Sequence, residues 1–270
     1  MTAVEIFILV LTGLGAGFVG GLFGIGGGVA VVPALYIIFT RQGVPDEICM
    51  KLAVGTSLAT IIVTSLRSVQ AHHRHRAVDW SILKSWAGWI AGGAILGSVV
   101  AREVSADFLT LFFALGLLIL GGQRLLSNRQ VDAQENMHLP GPWGQRFMAG
   151  TTGIISSMMG IGGGVLGVLL LTRAGKSIHN AVGTAAGFGV AIALPGALAF
   201  MILGMGQTSV TGAIGFVSIP AFLAVSFGTA ITAPQGARLA SKLSPTLLSR
   251  LFAGYVTITG ILMLREVIVG

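Results

Sequence analysis

The sequence predicts an all-α polytopic membrane protein made of two inverted repeats, each of about five hydrophobic segments and each opening with a glycine-broken helical hairpin. Two observations carry this prediction. Hydrophobic residues make up 54% of the 270 positions and charged residues only 9%, against about 25% charged in soluble domains. The stretch Gly24-Ile25-Gly26-Gly27-Gly28-Val29 also recurs letter for letter from Gly160 to Val165, inside a second apolar region.

Ten apolar runs follow one another along the chain, and each is a candidate membrane segment because about 20 apolar residues cross ~30 Å of hydrocarbon. The runs lie near residues 4–22, 27–39, 52–66, 82–101, 107–126, 146–161, 163–172, 180–203, 210–236 and 246–264. The two runs beside each glycine motif are short. Each pair is therefore expected to form two thin crossings, a re-entrant hairpin or a broken helix that doubles back.

The duplication has two further anchors in the same order. Ala53–Thr56 recurs as Ala181–Thr184, and the pair Ala101-Arg102 recurs as Ala237-Arg238. An odd number of segments in each repeat turns the second repeat upside down relative to the first, as in many secondary transporters. The predicted division is a first repeat over 1–126, a polar cytoplasmic linker over 127–145 and a second, inverted repeat over 146–270.

The net charge of +7 is explained by orientation in a membrane. Twelve of the sixteen Lys and Arg residues fall on the side of loop 67–81, which the positive-inside rule makes cytoplasmic. Both termini are then outside, and the expected location is the cell inner membrane, multi-pass. The basic residues accompany no soluble domain that could receive a duplex, so nucleic acid is not an expected partner.

The glycine runs predict a binding site for an anion. A break in a membrane helix frees backbone N–H groups, and the next helix begins with partial positive charge. Two such ends could cradle an anion without a buried lysine or arginine. The predicted substrate-binding residues are Gly26, Gly27, Gly28, Thr56, Ser57, Gly162, Gly163, Gly164, Thr184 and Gln235. The alternatives are that the glycines only permit close helix packing and that the hydroxyls bond to their own backbone.

Other chemistry finds little support in the sequence. The glycine run lacks the spacing of a nucleotide-binding loop, and His72, His73 and His75 are interpreted as part of a solvated basic loop, so neither a cofactor nor a metal is expected. His179 is a candidate titrating group near the pathway. An intramembrane enzyme needs an activated nucleophile, paired aspartates or metal ligands. The chain has no HExxH and no GxSxG motif, so an enzyme is not predicted.

The glycine-rich hairpin of each repeat, the Ala-Val-Gly-Thr segments and the segment Pro234–Ala240 resemble the TauE/SafE family over nearly the whole chain. The resemblance implies export of small sulfur-containing anions such as sulfite, sulfoacetate and related organosulfonates. The predicted function is a secondary transporter that works by alternating access, the alternatives being an anion channel and a non-transporting membrane assembly factor. Because Gly97–Val100 stands where the second half has Ala233–Gly236, the two halves need not contribute equally.

The expected partners are the small sulfur anion, the lipid bilayer and a second copy of the chain. Gly88, Gly92, Gly93 and Gly97 recur at helical intervals and form a face of small residues. Such a face serves either internal packing or a contact between protomers. A homodimer is the favoured interpretation.

Overall fold

The computed structural model describes residues 3–126, 141–208 and 210–269, and within them the chain is almost entirely helical. The helices are α1 Ala3–Phe23, α2 Gly28–Arg41, α3 Asp46–Arg74, α4 Trp80–Glu103, α5 Ala106–Leu126, α6 Pro142–Met158, α7 Gly164–Arg173, α8 Ile178–Leu203, α9 Ile219–Ala240 and α10 Pro245–Val269. Six of them, α1, α3, α4, α5, α8 and α10, are long and apolar enough to cross a membrane. The predicted all-α polytopic membrane fold is confirmed.

The surface of the bundle carries large apolar side chains that a soluble protein would bury. Leu96, Ile119, Phe227 and Ile258 are each about 60% exposed. Contiguous apolar exposure of this kind is typical of a surface that faces lipid. The bilayer is therefore the environment of the fold.

A short β-hairpin precedes α9, where the sequence predicted one continuous apolar segment over 210–236. Strand β1, Ala213–Ile214, pairs antiparallel with β2, Val217–Ser218. Gly215 turns the chain between them with a φ of 54°, a left-handed conformation that glycine adopts without steric cost. The apolar run is thus divided, and only its second part is helical.

Two helix pairs, α1 with α9 and α4 with α6, pack closely through glycine residues. In α1, Gly13 lies against the carbonyl of Val225 and Gly17 against the backbone of Thr229 in α9, so the two helices run parallel. Without a Cβ atom at these positions, the backbones approach each other closely. Helix α1 comes from the first five helices and α9 from the last five.

Helices α4 and α6 form the second close pair in the same way. Gly93 of α4 lies against the carbonyl of Gly150, and Gly153 of α6 lies against the carbonyl of Ile90. Here α4 comes from the first five helices and α6 from the last five. The helices that open each set of five are therefore packed on the fourth helix of the other set.

The helix ends form two faces of the bundle, which we name by their charge. The basic face holds the C-terminal ends of α3, α5, α7 and α9 and the N-terminal ends of α4, α6, α8 and α10. The Lys176 ammonium, in the α7–α8 turn, lies 2.9 Å from the Asp79 carboxylate at the start of α4. The opposite face holds the N-terminal ends of α1, α3, α5 and α9, the C-terminal ends of α2, α4, α8 and α10 and the β-hairpin. There Lys51 donates to the carbonyl of Arg102 over 2.6 Å.

The short helices α2 and α7 double back rather than cross. They contain 14 and 10 residues, which makes them about 21 and 15 Å long, less than the ~30 Å of hydrocarbon. Helix α2 returns the chain to the opposite face, where the hydroxyl of Thr40 lies 3.3 Å from the sulfur of Cys49 in α3. Helix α7 returns it to the basic face. Of the three arrangements the sequence left open, each pair is a broken helix that doubles back.

Two sequence predictions touch on residues that the structure describes only in part. Of the predicted linker 127–145, residues 127–140 lie outside the described residues, and α6 already begins at Pro142. In the predicted small-residue face, Gly93 packs inside the bundle, whereas a Cβ at Gly88 or Gly92 would meet nothing within 4 Å. The homodimer remains a prediction. A contact between protomers on this face would involve the open positions Gly88 and Gly92.

Candidate functional site

The two glycine motifs lie directly against each other in the interior of the bundle. A Cβ atom on Gly28 would collide with the carbonyl oxygen of Gly160 and lie 2.8 Å from the Cα of Ile161. A Cβ atom on Gly164 would collide with the Cα of Ile25. We call this contact between residues 24–28 and 160–164 the glycine crossing. The sequence predicted that the two breaks meet, and of the six predicted glycines Gly28, Gly162 and Gly164 lie against the other motif. The Cβ positions of Gly26, Gly27 and Gly163 instead face α3, α1 and α8.

The two breaks use their glycines differently. In the first, Gly24, Gly26 and Gly27 have φ values of 67°, 72° and 82°, which other residues rarely adopt. In the second, only Gly160 has a positive φ, of 63°, while Gly163 has a φ of −58°. The glycines after Gly160 are required for close approach, since a Cβ on Gly162 would lie 2.6 Å from the carbonyl oxygen of Ile25. The second break therefore depends on steric room and the first on backbone conformation as well.

Helices α2 and α7 both start at the glycine crossing, so their positive ends meet there. Ala30 and Val31 donate to the carbonyl of Gly27, and Gly167 donates to that of Gly163. The amides of the first turn of each helix precede these bonds and are free of intrahelical acceptors. The nearest neighbours of the crossing glycines are uncharged side chains and backbone atoms. The positive potential of the two helix ends is therefore not neutralised by a carboxylate at this contact.

Of the predicted hydroxyl residues, only Ser57 reaches the glycine crossing. Its hydroxyl is buried and donates to the carbonyl of Gly160 over 2.8 Å. Gln235 lies on the exposed side of α9, while its neighbour Gly236 packs on the carbonyl of Phe18 in α1. The glutamine side chain is therefore away from the crossing.

Thr56 and Thr184 lie on either side of the crossing and hold the starts of two helices. The Thr56 hydroxyl accepts a hydrogen bond from the amide of Ser218, the N-cap residue of α9, over 2.9 Å. The Thr184 hydroxyl accepts one from the amide of Asp79, the N-cap residue of α4, also over 2.9 Å. We call these two bonds the threonine latches. Each joins one set of five helices to the fourth helix of the other set.

We expect Thr56→Val and Thr184→Val each to destabilise the protein by about 1–3 kcal/mol, because valine keeps the shape of threonine and leaves an amide N–H without its partner. Thr56→Ser and Thr184→Ser keep the hydroxyl and serve as matched controls. Thermal unfolding in detergent measures the difference. Valine variants that melt with their serine controls would show that the latches contribute nothing.

The latch at the basic face is reinforced by charge. The Asp79 carboxylate accepts from the amides of Ser81 and Ile82 and so caps α4. A hydrogen bond from Lys176 holds the pKa of the Asp79 carboxyl below its ordinary value, against the opposing effect of partial burial. Because a lowered pKa favours the charged form, the contribution of this ion pair is lost only as the pH falls through that lowered pKa. The pair is intact at neutral pH.

Sequence reasoning missed one side chain at the glycine crossing, Ser65 of α3. Its hydroxyl oxygen lies 3.0 Å from where a Cβ on Gly26 would stand and also abuts Gly189 of α8. The Ser65 hydroxyl is buried and has no hydrogen-bond partner among the described residues. Its spacing of eight residues from Ser57, about two helical turns, is the signal that could have placed both on one face.

Three histidines meet in a cavity of about 160 Å³ at the basic face. His72 and His75 lie at the end of α3, and His179 lies in the first turn of α8. The sequence identified His179 as a group near the pathway, and the structure places it in this cavity. Among the described residues, no group of three His, Cys, Asp or Glu side chains has the arrangement of a metal site.

Ten packed apolar helices, two of them short and doubled back so that their broken ends meet inside, define a multi-pass α-helical membrane protein. The family model for the sulfite exporter TauE/SafE matches residues 9–263. The chain belongs to the TauE/SafE family, as its motifs predicted. No solved structure matches it.

Curated relatives cover nearly the full length and are named as transporters. A "Probable membrane transporter protein" of Haemophilus influenzae is 30% identical over 96% of this chain and 97% of its own. One of Methanocaldococcus jannaschii is 26% identical over 95% and 94%. A third, of Bacillus subtilis, is 25% identical over 96% and 98%. The chain is thus similar throughout to proteins named as membrane transporters.

Proposed function

We propose that this protein is a secondary transporter of the inner membrane that exports a small sulfur-containing anion, such as sulfite, sulfoacetate or a related organosulfonate, by alternating access. The observation that carries the proposal is the glycine crossing. Two helix N-termini converge there on uncharged surroundings, with the hydroxyls of Ser57 and Ser65 beside them. Backbone amides and helix dipoles are suited to a small anion, and the family is described by sulfite export.

Alternating access requires two units that can move against each other, and we assign these to inverted repeats over 1–126 and 146–270. The exchanged contacts support the assignment. Helix α1 packs on α9 as α6 packs on α4, and the Thr56 latch to α9 has its counterpart in the Thr184 latch to α4. Each contact from the first five helices to the last five thus has an equivalent contact from the last five to the first five. A two-fold axis that relates two inverted units produces such pairs of contacts.

The proposed direction follows from the charge distribution. We take the basic face as cytoplasmic, since basic residues are retained on that side. A membrane potential negative inside then favours exit of an anion by about 2.3 kcal/mol for each charge and each 100 mV. Export therefore needs no ion-binding carboxylate, and the nearest neighbours of the crossing glycines include none.

The experiment is transport by the purified protein in liposomes loaded with labelled sulfite or sulfoacetate. We expect saturable efflux that unlabelled substrate on the far side accelerates, because exchange is a property of a carrier. Flux that neither saturates nor exchanges would instead establish an anion channel. Absence of any flux above that of protein-free liposomes would overturn the transporter and leave an assembly factor.

Ligand binding gives an independent measurement in detergent. An anion supplied at 100 times its dissociation constant should stabilise the folded protein by about 2.7 kcal/mol. We expect a rise in Tm with sulfite or sulfoacetate that simple carboxylates do not reproduce. Equal stabilisation by every anion tested would contradict selectivity for sulfur compounds.

A further inference from the structure

The histidine cavity at the basic face lies beside the first glycine break. The carbonyl of Val182, one of its lining residues, abuts Gly24, and His72 bonds to the carbonyl of Gly21 over 3.0 Å. The cavity volume of about 160 Å³ is several times what one water molecule needs. The cavity is thus large enough for a small solute and adjoins the chain segment that leads into the glycine crossing.

The hydrogen bonds of two histidines determine what they can offer a solute. The Nε2 atoms of His72 and His179 lie 3.0 and 3.3 Å from the carbonyl oxygens of Gly21 and Leu243. Because a carbonyl oxygen only accepts, each Nε2 carries a hydrogen and donates it. The other described lining residues are His75, Ala77, Val182, Ala240, Ser241 and Leu248, so none of the eight is acidic and the lining favours an anion.

A row of serines connects this cavity to the glycine crossing. Ser65, Ser68 and His72 follow one another on α3 at spacings of three and four residues, which place them on one face of the helix. The Ser65 hydroxyl lies at the crossing, beside Gly26. The hydroxyls of Ser65 and Ser68 are both buried without a hydrogen-bond partner among the described residues. A buried hydroxyl without a partner costs stability, so two in a row indicate a use other than packing.

We propose that the histidine cavity is the loading site for the transported oxyanion and that Ser68 and Ser65 donate to the anion as it moves from the cavity to the glycine crossing. The inference rests on the proposed function. The cations of the basic face attract the anion towards the cavity. The two hydroxyls then replace part of its hydration over a distance of about 10 Å along α3. The two serines and the histidines are the residues that the proposal adds to the site.

The serines are tested by Ser65→Ala and Ser68→Ala in the liposome assay with sulfite and sulfoacetate. Each variant should lose about tenfold in transport, since a hydrogen bond to a charged group is worth at least one such factor. Their Tm should stay the same or rise, because a buried unpaired hydroxyl is removed. Ser226→Ala on α9 removes a buried, unpaired hydroxyl elsewhere and should leave transport unchanged. Wild-type transport by both variants, or a loss that accompanies a lower Tm, would overturn the route.

The cavity is tested by His75→Gln and His179→Gln, two side chains that are at least partly exposed. Together they should raise the KM for sulfoacetate about tenfold with little change in kcat or Tm. His73→Gln is the matched control, because His73 lies next to His72 in the last turn of α3 but does not line the cavity, and its ring accepts a hydrogen bond from the Trp80 indole. An unchanged KM in a protein that transports would overturn the loading site and leave the proposed function intact. A wild-type protein without transport would refute both.

Discussion

Gly28→Ala and Gly164→Ala are each expected to destabilise the protein by about 3 kcal/mol or more. Overpacking of an interior costs about 1–3 kcal/mol, and here the added Cβ collides with backbone that cannot rotate away. For Gly28 the collision is with the carbonyl of Gly160, and for Gly164 it is with the Cα of Ile25. Size-exclusion profiles and Tm values in detergent measure the loss.

The control for this pair is Gly15→Ala. Gly15 also lies in a membrane helix, α1, but a Cβ there would meet nothing within 4 Å. Alanine is favoured over glycine inside a helix by about 0.5–1 kcal/mol, so this variant should be as stable as the wild type or more so. Crossing variants that melt with the wild type would mean that the two breaks are not in contact.

Gly93→Ala should separate α4 from α6 and cost about 2 kcal/mol or more. The new Cβ would collide with the carbonyl of Gly150, where the two helices are closest, and a backbone atom offers no alternative rotamer. Its neighbour Gly92→Ala adds the same methyl group one position earlier, where nothing lies within 4 Å. We expect Gly92→Ala to raise stability by about 0.5–1 kcal/mol.

Both variants are compared by Tm in detergent and by the fraction of protein recovered as a single species. The pair separates steric packing from a change in helix propensity, because propensity acts equally at adjacent positions of α4. Equal Tm values for the two variants would contradict the close packing of α4 on α6. A loss confined to Gly92→Ala would instead indicate that the open side of α4 contacts a second protomer.

The parts of the fold that depend on local pattern could be predicted from sequence. Each apolar run corresponds to a helix, and the two letter-for-letter motifs mark the two breaks, because three glycines in a row are costly inside a helix. That the breaks meet followed from the duplication. Ser57 could be placed near them because it follows the first turns of α3, the helix that comes after the first glycine hairpin.

The parts of the fold that depend on three-dimensional contact could not be predicted from the sequence. Apolar residues such as Phe216 and Val217 hid the β-hairpin inside a hydrophobic run. The identical pairs Ala101-Arg102 and Ala237-Arg238 suggested one alignment of α4 with α9. The helix contacts in the structure instead make Gly97 of α4 the equivalent of Gly236 of α9. These two glycines lie against the equivalent backbone positions Ile154 and Phe18 of the helices that open the two sets. The alignment of α4 with α9 that follows from helix packing thus differs by three residues from the alignment that follows from the identical Ala-Arg pairs.

The histidine cavity and Ser65 show the same limit at the site. His72 and His179 are more than one hundred positions apart in the sequence, and only the packing of α3 and α8 brings them into one cavity. Thr56 and Thr184 were recognised by their repeated motif, but their hydroxyls face helix N-caps instead of the crossing. A repeated motif indicated equivalent positions without indicating what each position contacts.

The exchanged packing of α1 on α9 and of α4 on α6 also constrains how the protein is made. During synthesis the first five helices enter the bilayer before the ribosome has produced their partners, so the glycine-lined sides of α1 and α4 face lipid at first. Those sides can be covered only after α6 and α9 have been inserted. The packing of α4 therefore waits for the synthesis of α6 and that of α1 for the synthesis of α9. A nascent chain interrupted after α5 would be left with the glycine-lined sides of α1 and α4 unpaired.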